Sequence, residues 1–65
     1  MAFIQYEVWG TYEGHEELLE CVPTLKEAEQ VSQDLLEFNE VIWILEDTDD
    51  DLREVRRYRN TGEIS

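Results

Sequence analysis

The sequence predicts an α+β fold: a two-layer sandwich in which a four-stranded antiparallel sheet carries one helix on one face. Three observations predict it: an alternating stretch near the start, a capped amphipathic segment in the middle, and five successive apolar residues after it. The expected element order is ββαββ, and a right-handed crossover through the helix sets the strands in the spatial order 2-1-3-4. Residues 1–60 then form a single ββαββ domain, and residues 61–65 form a flexible C-terminal tail.

The first two strands are predicted to form a hairpin. Residues 3–12 are rich in aromatic and β-branched types and alternate with period two, while Glu13 and Gly14 suit a two-residue turn. The resulting register puts Val8 opposite Leu19 and Tyr6 opposite Cys21, and gathers on the core face Ile4, Tyr6, Val8, Leu19 and Cys21. It also sets Glu7 opposite Glu20. Like charges in that position are unfavourable, so either the register is shifted by one residue or a cation lies nearby.

Capping and periodicity predict the helix. Thr24 followed three residues later by Glu27 is typical of a capping box, and Asn39 can adopt the left-handed conformation that ends a helix. We expect a helix from Leu25 to Phe38. Its apolar stripe should pack on the sheet and consists of Leu25, Ala28, Val31, Leu35 and Phe38.

The second half of the chain predicts two further strands. Residues 41–46 begin with five apolar positions, which favours a central strand. Residues 52–59 form the last strand, in which Val55 and Tyr58 fall out of phase unless a bulge intervenes. This strand also carries four arginines, Arg53, Arg56, Arg57 and Arg59. They either offset acids on the third strand and loop and protect an exposed edge, or bind an anion or the carboxylates of a partner.

The charge of the chain restricts its partners. Seventeen acidic residues against five basic ones give a net charge of −12, which disfavours direct binding to DNA, RNA or anionic membranes and favours basic proteins. A single cysteine, Cys21, excludes an internal disulfide, and no apolar stretch approaches the roughly 18 residues of a membrane span. We therefore expect a cytoplasmic protein, in the host cell cytoplasm if it is phage-encoded.

No pattern of residues predicts an enzyme, a cofactor or a metal site. Asp47, Asp49 and Asp51 have the spacing of a calcium-binding EF-hand loop, yet Leu52 stands where that loop requires Gly and Tyr58 where it requires Glu. His15 has no nucleophile at a recognisable spacing. A fold this small also lacks a cleft in which a carboxylate could be desolvated.

One helix can cover only one face of the sheet, so the other face should remain uncovered. The strand pattern indicates that this uncovered face is apolar. It should carry Phe3, Trp9, Leu18 and Val22, with either Val41, Trp43 and Leu45 or Ile42 and Ile44 from the third strand. Such a face usually marks a homodimer or a partner's docking site. The alternatives are scattered exposed hydrophobic residues, or tryptophans packed against the tail.

In size and acidity the chain, with segments such as "TYEGHEELLECVPTLKEAEQ", resembles small phage-encoded inhibitors of the anti-CRISPR and DNA-mimic type. The resemblance implies a non-enzymatic inhibitor whose acidic surface occupies a basic nucleic-acid-binding site of a target protein. The residues expected to bind the partner are Glu27, Asp34, Glu37, Asp47, Asp49, Asp50, Asp51, Trp9 and Trp43. The segment "PTLKEAEQVSQDLLEFNEVIWI" also looks like small bacterial and phage strand-helix-strand proteins, which implies the alternative: a homodimeric structural or regulatory protein that uses the open sheet face and is acidic only for solubility.

Overall fold

A computed structural model describes residues 4–60, so the predictions for Phe3 and for the tail at 61–65 lie outside the described residues. The elements are β1 (Gln5–Tyr12), β2 (His15–Val22), α1 (Leu25–Leu35), a 3₁₀ turn (Leu36–Phe38), β3 (Val41–Asp47) and β4 (Leu52–Arg59). The strands form one antiparallel sheet in the order β2-β1-β3-β4. This confirms the predicted fold class and strand order.

The hairpin between β1 and β2 turns at the predicted residues. Glu13 has φ 51° and Gly14 has φ 83°, the pair of left-handed conformations that suits the twist of a two-residue hairpin loop. Tyr12 pairs with His15 across the turn. The strained backbone of Glu13 is held in place because its N–H donates to Glu40 Oε1 at 2.9 Å.

A β-bulge in β2 corrects the predicted register. Trp9 pairs with Leu18 as expected, but Val8 pairs with Glu20 and Tyr6 with Val22, so Leu19 is an extra residue. The predicted pairs of Val8 with Leu19 and of Tyr6 with Cys21 are therefore wrong. The physical reason is the Glu7 and Glu20 clash, which the bulge removes.

The bulge also exchanges the faces of two neighbouring residues. Cys21 was predicted in the core but pairs with Glu7 and is exposed. Val22 was predicted on the open side but packs against the core. Ile4, also predicted in the core, is 46% exposed ahead of the first strand.

A second bulge explains the phase of β4. Ile44 pairs with Arg56 while Leu45 pairs with Glu54, so Val55 is the extra residue. Val55 and Tyr58 consequently both pack against the core. The bulge that their spacing required is confirmed.

The core lies between α1 and the sheet. Its fully buried hydrophobic residues within positions 4–60 are Val8, Ala28, Ile42 and Ile44. The helix begins as predicted, because the Glu27 N–H donates to Thr24 Oγ1 at 3.2 Å. Ser32 is also fully buried, and its hydroxyl is satisfied by donating to the Ala28 carbonyl at 2.7 Å.

The end of the helix differs from the prediction. The last turn tightens into the 3₁₀ turn, which brings Leu36 against the core and leaves Phe38 63% exposed. Asn39 is extended, with φ −135° and ψ 154°, instead of left-handed. It ends the helix with its side chain, whose Nδ2 donates to the Leu35 carbonyl at 2.9 Å.

Within residues 4–60, no helix combines the length and the apolar character that crossing a bilayer requires.

Candidate interaction surfaces

We call the side of the sheet opposite α1 the open face. The strand register assigns to it Gln5, Glu7, Trp9, Thr11, Glu16, Leu18, Cys21, Val41, Trp43, Leu45, Asp47, Leu52, Glu54, Arg57 and Arg59. Of the two sets proposed for the third strand, it is therefore the one containing Trp43 that lies here. Ile42 and Ile44 point to the helix and are fully buried.

An apolar row crosses the middle of the open face. Leu18 pairs with Trp9, Trp9 with Trp43, and Trp43 with Arg57, so that all four strands contribute one side chain. Leu18 is 46% exposed, and both tryptophans are half-buried. The Arg57 guanidinium lies 5.5 Å from the centre of the Trp43 ring, a cation–π contact. Within residues 4–60, no helix covers the two tryptophans, and the Arg57 side chain is the group that lies over the Trp43 ring.

The polar groups beside this row are internally bonded. The Trp9 indole donates to Glu7 Oε1 at 3.0 Å. Gln5 Nε2 donates to Asp47 Oδ2 at 3.1 Å at the other end of the same face. The middle of the open face therefore offers a partner its apolar groups, while Glu16 and Arg59 remain exposed at its edges.

Several acids lie on the helix side of the molecule. Glu17 pairs with Gly10 and Glu20 with Val8, and both partners are buried towards α1, so these two β2 carboxylates belong to the helix side. Glu29 reaches Arg56 of β4, which identifies the flank of α1 that faces β4.

The positions of the helical acids follow from the helical repeat. Glu27 and Asp34 lie roughly 140–160° around the helix from Glu29, because each residue turns the helix by about 100°. They therefore face away from β4, on the flank nearer β2. We call the following set the acidic surface: Glu17, Glu20, Glu27, Asp34 and Glu37, all of them exposed. Across residues 4–60, none of these five carboxylates pairs with an arginine or a lysine.

Three arginines of β4 are paired with acids elsewhere. Arg53 Nε lies 3.3 Å from Glu46 Oε1 on β3, Arg56 Nε lies 4.0 Å from Glu29 Oε2 on α1, and Arg57 Nη2 lies 2.6 Å from Glu54 Oε1 on the same strand. The hydrogen bonds from Arg57 lower the pKa of Glu54. Of these three pairs, only that of Arg53 is with the third strand as predicted, whereas Arg56 reaches the helix and Arg57 its own strand.

Glu46 also ties the first strand to the third. It accepts a hydrogen bond from the Tyr6 hydroxyl at 3.1 Å. This bond is the first cause, and burial the second, of a raised pKa at Tyr6. Glu46 therefore joins β1, β3 and β4 on the helix side.

The acidic loop between β3 and β4 is organised by its own residues. Thr48 Oγ1 accepts from the Asp51 N–H at 3.1 Å, and Asp51 Oδ1 accepts from the Leu52 N–H at 2.8 Å. These bonds close a tight hairpin loop. In the part of the chain from 4 to 60, no group of three or more His, Cys, Asp or Glu side chains is positioned to hold a metal ion.

Cys21 has a raised pKa. Partial desolvation is the main cause, followed by the negative charges of Glu7, Asp47 and Glu20. Because the thiolate is the reactive form, a raised pKa leaves a smaller fraction of Cys21 ionised at neutral pH than in an ordinary thiol.

The structure separates the predicted partner-binding residues into three places. Trp9 and Trp43 lie on the open face; Glu27, Asp34 and Glu37 lie on the helix side; Asp47, Asp49, Asp50 and Asp51 lie at the end of β3 and in its loop. The sequence placed Leu18 opposite Trp9 on this face, as the structure does, but Arg57 as the cross-strand neighbour of Trp43 was missed. Sequence reasoning also missed that Glu17 and Glu20 share a side with the helical acids, which depends on the β2 pairing.

No protein-family model, curated protein or solved structure matches this chain. The two surfaces therefore carry the functional inference.

Proposed function

We infer that this chain is a non-enzymatic, protein-binding inhibitor whose acidic surface occupies a basic, nucleic-acid-binding site of a target protein, in the manner of anti-CRISPR proteins and DNA mimics. One observation carries the inference: the charges are segregated. Within residues 4–60, three of the four arginines pair with acids outside the acidic surface, so its carboxylates are not engaged in these ion pairs. With a net charge of −12, the chain is attracted to a basic groove from a distance.

The arrangement of the acidic surface suits a phosphate-binding groove. Glu27 and Asp34 are two helical turns apart, a rise of about 10 Å, and the β2 carboxylates widen the array sideways. Carboxylates at varied spacing meet lysines and arginines that otherwise contact phosphates. Binding therefore competes directly with nucleic acid and weakens as salt concentration rises.

The tryptophans are not needed for this activity. They lie on the opposite side of the sheet from the acidic surface, so a single flat contact cannot use both. The proposed contact is consequently electrostatic, and its affinity should depend on charge much more than on buried apolar area.

A charge-matched pair of variants tests the proposal. The surface variant carries Glu20→Gln, Glu27→Gln and Asp34→Asn; the control carries Glu13→Gln, Asp49→Asn and Asp50→Asn, which change the net charge by the same amount in the two hairpin loops. The wild type and each variant are immobilised and used to capture basic proteins from a host lysate. The captured proteins are then eluted with double-stranded DNA, RNA or increasing salt.

The proposal predicts that nucleic acid displaces the captured protein, that binding falls steeply between low and moderate salt, and that only the surface variant loses it. If both variants lost binding equally, binding would depend on the net charge alone, which would contradict a defined contact surface. A loss confined to the control would place the contact at the hairpin loops and contradict the acidic surface.

A further inference from the structure

The charges of the open face are arranged asymmetrically. One row of paired residues runs Glu16, Thr11, Val41, Arg59 from edge to edge, parallel to the apolar row that contains the tryptophans. It therefore ends in an acid on β2 and in a base on β4. Within residues 4–60, neither Glu16 nor Arg59 has an ion-pair partner.

This polarity distinguishes the ways in which two copies can meet face to face. A two-fold axis parallel to the strands keeps each row at its level and exchanges the edges, so β2 of one copy lies over β4 of the other. An axis across the strands would instead stack β2 on β2 and β4 on β4 and reverse the order of the rows, so Glu16 could not reach Arg59 of the partner subunit. Only the first arrangement pairs both ends of this row with an opposite charge.

We propose that two copies of this chain associate through their open faces as a symmetric β-sandwich, with the two-fold axis parallel to the strands and between β1 and β3. Glu16 then meets Arg59 of the partner subunit at both edges. Trp9 packs near Trp43 of the partner subunit in the middle. Aligned sheets pack about 10 Å apart, a gap that the long side chains of Glu and Arg can bridge at the rim.

The small core supports this assembly. The described chain buries only four hydrophobic residues completely, and a chain of 65 residues has little apolar surface to bury alone. Pairing two open faces would enclose the row of Leu18, Trp9 and Trp43 and double the number of packed layers. The dimer therefore gives the tryptophans a burial that the protomer does not.

The area of the open face limits how strongly two copies of the chain can associate. Four strands at a spacing of about 4.8 Å and seven residues at about 3.4 Å give a face of roughly 19 by 24 Å, or about 900 Å² when counted on both partners. This area is below the roughly 1,200–2,000 Å² of stable specific interfaces, so we expect a weak dimer that dissociates on dilution.

Charge reversal tests the arrangement. Sedimentation equilibrium of the 7.8 kDa chain should give twice that mass at high concentration and the monomer mass on dilution. Glu16→Arg and Arg59→Glu should each weaken the dimer about tenfold or more, since each dimer contains two such contacts, and the double variant should recover most of the loss. Glu17→Arg, on the same strand but on the helix side, is the matched control and should leave the dimer intact.

A second pair of variants tests the apolar row. Leu18→Lys should abolish the dimer without unfolding the chain, because Leu18 is 46% exposed, whereas Phe38→Lys, at a site that is 63% exposed and away from the face, should leave the dimer intact. A monomer at all concentrations, or single reversals that the double variant fails to rescue, would overturn the proposal. If the wild type is monomeric and Leu18→Lys no longer captures the target protein, the open face binds that target instead of a second copy. None of these results depends on the acidic surface, so the two proposals fail separately.

Discussion

Trp9 and Trp43 lie directly opposite each other on neighbouring antiparallel strands, on the side of the sheet that the helix leaves uncovered. Cross-strand aromatic pairs stabilise a sheet by roughly 0.2–1 kcal/mol. Leu18 on β2 and Arg57 on β4 flank the pair, so the row spans all four strands of the sheet. Because the pair lies on the open face, the apolar contact surface and the acidic surface are on opposite sides of the sheet.

Gly10 should not tolerate a side chain. A Cβ there would lie 2.6 Å from Asn39 Oδ1 and 2.8 Å from Leu19 Cδ1, and Asn39 is fixed by its bond to the Leu35 carbonyl. Gly10→Ala should lower the free energy of unfolding by about 1–3 kcal/mol through overpacking, measured by urea denaturation. Ala at Gly14, where nothing lies within 4 Å but φ is +83°, separates the two causes and should cost about 1–2 kcal/mol by backbone strain alone. Full stability of Gly10→Ala would contradict the close approach of Leu19 and Asn39.

Truncation to Ala should destabilise the protein strongly at Ile42 and hardly at all at Phe38. Ile42→Ala removes a fully buried side chain and should cost about 2–5 kcal/mol, enough to leave little folded protein. Phe38→Ala should change stability by no more than about 0.5 kcal/mol because that ring is 63% exposed. Thermal unfolding followed by circular dichroism compares them, and similar losses at both sites would show that Phe38 packs as the helical periodicity suggested.

The N-terminal cap should be measurable on its own. Thr24→Ala removes the acceptor for the Glu27 N–H and should cost about 1 kcal/mol. Gln33→Ala, at an exposed position within the same helix, is the control and should be neutral or slightly stabilising. An equal effect of both substitutions on the urea midpoint would argue against a capping role for Thr24.

Stability should fall at alkaline pH. The hydrogen bond to Glu46 raises the pKa of Tyr6 above 10.0, so the folded state holds this proton more tightly than the unfolded state does. The contribution is complete below pH 10 and is lost as pH rises through the pKa of the folded protein. Tyr6→Phe should reduce the slope of stability against pH above pH 10, and Glu46→Gln should act in the same direction. An unchanged slope in both variants would exclude this bond as its source.

The predictable parts of the fold are those set by short-range patterns. Alternation identified β1, the apolar run identified β3, and Thr24 with Glu27 identified the helix start. The strand order followed because it placed the two most apolar strands in the centre.

The misplaced residues depend on contacts between distant segments. A bulge is settled by pairing across strands, so Cys21 and Val22 exchanged faces. The Glu7 and Glu20 clash did signal a shift there, and the spacing of Val55 and Tyr58 signalled the second bulge. The helix end could not be read locally, because the 3₁₀ turn and the Asn39 side chain depend on packing against the sheet.

For the interaction surfaces, the sequence placed Trp9 on the face opposite the helix and its acids, but it left two alternatives for the third strand and set Glu20 opposite Glu7 on the open face. Which side of the sheet each residue occupies depends on how Glu17, Glu20 and Trp9 pair, and that register includes the bulge. Glu29 gave no local sign that it reaches Arg56.

Tryptophan fluorescence on dilution tests most directly whether the open face is covered by a second copy. The chain contains two tryptophans, and both lie on this face, so their emission reports on it alone. Dilution from millimolar to sub-micromolar concentration should shift the emission to longer wavelength with one midpoint that matches the loss of dimer mass, and Leu18→Lys should show the shifted emission throughout. Emission that stays constant across this range, together with a constant monomer mass, would contradict the account.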